Sequence, residues 1–128
     1  MQLGAFSVSL SVRDIDRSRA FYETLGFAPT GGDAAQGWLI LRNGSATIGL
    51  FQGMFEGNLL TFNPGWTDAA EPLPRFDDVR EIEARLTAAG IALVSAAAEG
   101  DGPAHFIVED PDGNRILVDQ HVPKPAGR

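Results

Sequence analysis

The sequence predicts an α+β protein: two βαβββ modules whose curved mixed sheets line a trough. Three observations lead there. A shift of 64 residues carries Val12 onto Phe76, Asp14 onto Asp78, Ile15 onto Val79, Gly26 onto Gly90 and Phe27 onto Ile91, so capping acid, apolar stripe and stop glycine recur in one order. Residues 5–12 alternate, with Phe6, Val8, Leu10 and Val12 apolar and Ser7, Ser9 and Ser11 small and polar, the period of a two-faced strand. Two turn strings, Asn43-Gly44 and Asp110-Pro111-Asp112-Gly113-Asn114, each lie between apolar runs, which signals hairpins. One domain is expected over 1–128, with modules at 4–63 and 72–121 and a loose tail at 122–128.

The elements follow in order. After the strand at 5–12, Asp14 or Asp16 caps a helix whose stripe is Ile15, Ala20, Phe21 and Leu25, and Gly26 ends it. Thr30 to Gln36 reads as a glycine-rich loop. Strands are expected at 37–41 and 46–51 around the Asn43-Gly44 turn, and another at 58–62. Residues 63–74 hold three prolines and read as a linker. A short strand ending at Phe76 opens the second module. Asp77 or Asp78 then caps a helix with the stripe Val79, Ile82, Leu86 and Ala89, stopped by Gly90. A strand at 91–94, a loop at 96–102 and the closing hairpin complete the chain. In that hairpin Pro111 fixes φ, Asp112 bonds its own backbone, and Gly113 and Asn114 tolerate positive φ.

Composition narrows the partners. With no cysteine there is no disulfide, thiolate nucleophile or cysteine metal site. A net charge of −7 argues against nucleic acid and anionic membranes, both of which demand basic patches. No run reaches membrane-spanning length and the start lacks a signal-peptide pattern, so a cytoplasmic protein is the expectation.

The strings Val12-Arg13-Asp14-Ile15-Asp16-Arg17-Ser18-Arg19-Ala20-Phe21-Tyr22, Leu25-Gly26-Phe27 and Asp110-Pro111-Asp112-Gly113-Asn114 resemble the vicinal oxygen chelate superfamily. That superfamily contains glyoxalase I, extradiol dioxygenases, fosfomycin-resistance enzymes and bleomycin-binding resistance proteins. The resemblance covers nearly the whole chain. It speaks for the fold more than for any one activity, because the superfamily hosts many chemistries. It implies a divalent metal held by His, Glu or Gln at four strand positions. Carried over residue by residue, those positions fall on Ser7, Leu59, Glu71 and Leu117. Leucine cannot bind a metal and serine is a poor ligand, so no metal and no cofactor is expected.

Ser7 and Ser9 line the polar face of the first strand, or simply leave space there. Trp38, Phe51, Met54, Phe55 and Trp66 form a dense apolar set around loops, suited to a ligand pocket or to a dimer contact. Phe62 shares a face with Leu60 and reads as core, and Thr61 lies between them. His105 shares a face with Ile107 and Glu109. Arg115 and Asp119 flank Leu117 and read either as a pair across the pocket mouth or as ordinary edge-strand charges, and Arg115 is suited to orient an anion. His121 reads as a solvated residue. No Ser-His-Asp arrangement is legible. The sequence thus points to a homodimeric small-molecule-binding protein that sequesters a cationic or aromatic ligand. The alternative is a glyoxalase-like lyase, isomerase or dioxygenase with an atypical metal site, such as His105 with Glu71 or Glu109.

Overall fold

The computed structural model describes residues 1–125. They form eight strands and two α-helices, in two passes of the order strand, helix, three strands. The first pass is β1 (Ala5–Val12), α1 (Ile15–Thr24), β2 (Ala28–Asp33), β3 (Trp38–Asn43) and β4 (Ala46–Gln52). The second is β5 (Leu59–Asn63), α2 (Val79–Ala88), β6 (Leu93–Ser95), β7 (Ala104–Glu109) and β8 (Arg115–Gln120). The α+β class therefore holds. By packing the chain divides into two compact units, Ser7–Leu59 and Met1–Phe6 with Leu60–Arg128.

The helices keep the 64-residue offset because the same devices start and stop them. Asp14 and Asp78 have extended backbone and accept from Arg17 N–H and Arg80 N–H, satisfying first-turn donors. Gly26 and Gly90 follow the helix ends with φ of 97° and 90°, values that suit glycine. A further matched pair sits at the ends of β4 and β8. Gln52 Oε1 accepts from Ile15 N–H and Gln120 Oε1 from Val79 N–H, both at 2.8 Å. Each terminal glutamine ties the first residue of its helix to its sheet.

In the Ser7–Leu59 unit the strand order is β2-β3-β4-β1. β1 runs parallel to β4, while β2–β3 and β3–β4 are antiparallel. The core lies under α1: Ile15, Leu39, Leu41 and Leu50 are buried, with Leu10, Val12, Tyr22, Phe27 and Ile48 packed on them. The expected α1 stripe was turned too far. Phe21 and Leu25 are exposed, and the helix faces its sheet with Ile15 and Tyr22, seven residues apart, the two-turn repeat of a helix face.

In the other unit the order is β5-β8-β7-β6. Val79 and Ile82 of α2 pack on Ala104, Phe106, Val108 and Val118, joined by Leu3, Leu86, Leu93 and Ile116.

Several expectations need correction. Residues 28–33 are a strand and not part of a loop. All six are exposed, so the strand is held by its backbone ladder to β3 and has no apolar period to betray it. The β3–β4 turn is Gly44-Ser45, because Asn43 pairs with Ala46. No strand ends at Phe76; the second pass opens with β5, and residues 64–78 run irregularly with one bridge between Trp66 and Pro72. The faces of β5 are also reversed. Leu59 and Thr61 are buried, Leu60 is exposed, and Phe62 is half-buried against Phe6, 5.0 Å between ring centres. Of the tail, Lys124 N–H donates to Asp101 C=O and Pro125 is buried, whereas 126–128 lie outside the described residues.

Candidate functional site

A sheet with a helix on one face leaves its other face for a ligand or a partner. In the Ser7–Leu59 unit that face can be read from register. Ser9 stands beside Gly49 and Ser11 beside Phe51 across β1–β4. Gly49 stands beside Ile40, Phe51 beside Trp38 and Thr47 beside Arg42 across β3–β4. Alternation therefore places Ser7, Ser9 and Ser11, Thr47, Gly49 and Phe51, and Trp38, Ile40 and Arg42 on the side away from α1.

One end of this face is aromatic. Trp38 and Phe51 are cross-strand neighbours, and Phe55 lies 5.3 Å from Phe51, ring centre to ring centre. Phe55 is placed by β1, since Ser11 Oγ donates to Phe55 C=O at 2.9 Å and Ser11 N–H donates to Asn58 Oδ1 at 3.1 Å. Met54 beside it is exposed. The middle of the face is shallow. Gly49 has no side chain, and the Phe51 ring folds back over it, so that a Cβ at Gly49 would lie 2.6 Å from Phe51 Cε2. Ser9, next to Gly49, is buried. The far end carries Arg42, half-buried, with Nη2 donating to Gly44 C=O at 3.2 Å and Nε buried without a hydrogen-bond partner. Asp33, opposite Trp38, is exposed and uses Oδ1 to accept from Ala35 N–H.

The corresponding face of the other unit is a charged ladder. His105 stands opposite Asp119, Ile107 opposite Leu117 and Glu109 opposite Arg115. Arg115 pairs with Glu109 at 3.3 Å and not with Asp119. Asp119 instead faces His121 Nε2 at 3.3 Å, and that hydrogen bond raises the His121 pKa above 6.5 against the opposing effect of burial. Trp66 stacks flat on His121, with ring centres 4.6 Å apart and 10° between planes. Thr61 is buried in β5, and His105 is exposed.

Of the expected site residues, the structure thus brings Ser7, Ser9, Trp38, Phe51, Met54 and Phe55 into one unit, with the rings gathered at one end of a face. Thr61, Trp66, His105, Arg115 and Leu117 belong to the other unit, where Trp66 packs on His121. Sequence reasoning missed Ile40, Gly49 and Arg42. The alternation Trp38, Ile40, Arg42 was legible and would have found two of them.

A family model described as the Glyoxalase/Bleomycin resistance protein/Dioxygenase superfamily matches residues 4–118. The chain belongs to that superfamily. Among solved structures, a superfamily member from Vibrio splendidus 12B01 is 18% identical, with 90% of this chain and 97% of that chain covered and a TM-score of 0.65. A Mn(II)-bound glyoxalase from Novosphingobium aromaticivorans is 24% identical, with coverage of 95% and 40% and a TM-score of 0.57. A homoprotocatechuate 2,3-dioxygenase variant from Brevibacterium fuscum is 19% identical, with coverage of 95% and 33% and a TM-score of 0.60. This chain thus spans well under half of those two enzymes. Identities this low show the fold alone. A search of curated proteins gives no significant match.

The metal that the resemblance implies does not fit these residues. Ser7 and Leu117 sit in strands, Leu59 is buried, and Glu71 is an exposed loop residue. Among the described residues no three His, Cys, Asp or Glu side chains gather where they could hold an ion. Of the two alternative pairs, His105 with Glu109 is too widely spaced to share an ion. His105 and Glu109 are four residues apart on β7, about 13 Å at the backbone. Among the described residues no helix is long and apolar enough to cross a membrane.

Proposed function

We propose that the chain is a small-molecule-binding protein that acts by holding a planar aromatic ligand, without a catalytic metal, on the open face of its Ser7–Leu59 unit. The carrying observation is the aromatic end of that face: Trp38 and Phe51 side by side, Phe55 packed on Phe51, and beside them the buried Ser9 and Gly49, over which the Phe51 ring folds. Ring stacking and apolar burial at such a surface favour flat ligands and ask for no chemistry of the protein. A positive charge on the ligand has less support. The carboxylate in register with Trp38 is Asp33, which is exposed and already serves a cap.

The test combines metal analysis with binding. Protein incubated with Mn(II) or Zn(II) and then desalted should retain much less than one ion per chain. A planar aromatic probe such as naphthamide should quench or shift Trp38 emission in a Trp66→Phe background. Stoichiometric metal retention, or no response from Trp38 to flat ligands, refutes the reading. We also propose a homodimer, supported by the exposed Phe21 and Leu25 on α1, and sedimentation equilibrium tests it.

A further inference from the structure

The open face carries one charge of each sign, Asp33 opposite Trp38 and Arg42 at the far end, and the arginine end suits an anion. The charged side chain that shares the strand face of Trp38 and Ile40 is Arg42. Four other arginines have carboxylate partners: Arg19 with Glu23, Arg80 with Asp78, Arg85 with Asp77 and Arg115 with Glu109. Arg42, like Arg13, Arg17 and Arg75, has none within ion-pair distance among the described residues, in a chain with 17 acids and 10 basic residues; what sets Arg42 apart is that its Nε–H is buried. Among the described residues its side chain donates from Nη2 to Gly44 C=O, and its Nε–H is buried and unmatched. Guanidinium nitrogens are obligate donors, and a buried donor without an acceptor is costly. A carboxylate that meets the guanidinium gains from the charge, and the side chain, once drawn out to it, no longer leaves Nε–H buried without an acceptor. Thr47, across the ladder from Arg42, adds a hydroxyl at the same end of the face.

We propose that this face takes an aromatic carboxylate, with its ring against Trp38 and Phe51 and its anion on the Arg42 guanidinium. The inference rests on the binding reading above and names the ligand class for the same face. The two ends are four residues apart along β3, about 13 Å at the backbone, with Ile40 and the Phe51 ring, folded over Gly49, as the floor between them. A flat acid one or two rings long covers that floor, with the flexible arginine side chain reaching back toward it. A carboxylate matches the fork of guanidinium donors in two parallel hydrogen bonds, and an amide does not.

Isothermal titration of the wild-type protein with three probes of one shape tests this: 2-naphthoate, 2-naphthamide and 2-naphthylmethylammonium. Naphthoate should bind about tenfold or more tighter than naphthamide, and the ammonium weakest, as expected for one charged hydrogen-bonded contact at a half-exposed site. Arg42→Gln should remove the preference for naphthoate over naphthamide, while Arg42→Lys should keep part of it. The naphthamide measurement also shows whether the variant face is intact. If naphthamide binds as well as naphthoate, or the ammonium binds best, the carboxylate inference is wrong and the binding reading stands. If none of the three binds, both are wrong.

Discussion

The seat of the Phe51 ring can be probed by one methyl group. Gly49→Ala places a Cβ 2.6 Å from Phe51 Cε2, 3.2 Å from its Cζ and 3.3 Å from Ile40 Cδ1. Ordinary carbon contacts begin near 3.5 Å, so the ring must swing by about 1 Å and Ile40 must yield slightly. Gly49 does not need positive φ, so its backbone accepts alanine without strain. Overpacking of this kind costs about 1–3 kcal/mol, while glycine to alanine regains about 0.5–1 kcal/mol through the unfolded chain. The expected net is about 1 kcal/mol of destabilisation, or roughly 4 °C in Tm for a chain of this size. Thermal unfolding by circular dichroism measures it. In the Trp66→Phe background, Trp38 emission should shift as its cross-strand neighbour moves. An unchanged or raised Tm with unmoved emission would refute the placement of the ring over Gly49 and, with it, the geometry of the candidate face.

Other expectations follow from the same packing. Asp14→Ala should cost about 1 kcal/mol, the worth of an exposed cap, whereas Asp78→Ala should cost about 2–3 kcal/mol, because Asp78 is buried and also receives Gln120 Nε2–H at 2.8 Å; denaturant titration of both variants compares them. Phe106→Ala, at a position with 0% exposure, should lose about 3–5 kcal/mol or fail to fold, as read by urea midpoint. The His121 pKa lies above 6.5, so its protonated form supports the fold fully below 6.5, and that support fades as pH rises through the folded value; NMR titration should show the elevated midpoint, and Asp119→Asn should lower it. Asp110 has its pKa lowered, first by Asn114, so its ionised form supports the hairpin tip above 3.8 and the support is lost as pH falls through the lower folded value; Asn114→Ala should raise the Asp110 midpoint toward the ordinary one.

Legibility in the sequence tracked burial. Asp14, Gly26, Asp78 and Gly90 announced both helices because caps and stops act through neighbouring backbone, which sequence order displays. β2 was hidden because Gly31, Gly32 and their exposed neighbours bury nothing and so carry no alternation. β5 was found in place but turned over, because Leu59, Leu60, Thr61 and Phe62 give almost no polar contrast, and the smaller Thr61 faces inward. The candidate face became readable only with the register, which brings Phe51 beside Trp38 and Gly49 beside Ile40 from positions far apart in sequence. Arg42 was passed over for a related reason. Next to a turn it looks like a solvated charge, and its missing partner is visible only in three dimensions.

The two hairpin tips also govern how the chain ages chemically. Asn-Gly and Asp-Gly are the dipeptides most prone to succinimide formation, in which the following glycine nitrogen attacks the side-chain carbonyl carbon. In the folded chain both routes meet an obstacle. At Asp112-Gly113 the attacking amide is engaged, donating to Asp110 C=O at 3.1 Å, and Asp110 Oδ1 holds Asp112 N–H at 2.9 Å. At Asn43-Gly44 the Asn43 side-chain amide donates to Leu25 C=O at 3.1 Å, which restrains the group that would be lost as ammonia. Covalent durability at both sites is therefore conferred by folding. Peptide mapping after long storage should find deamidation at Asn43 and isoaspartate at Asp112 accumulating much faster in urea than in buffer.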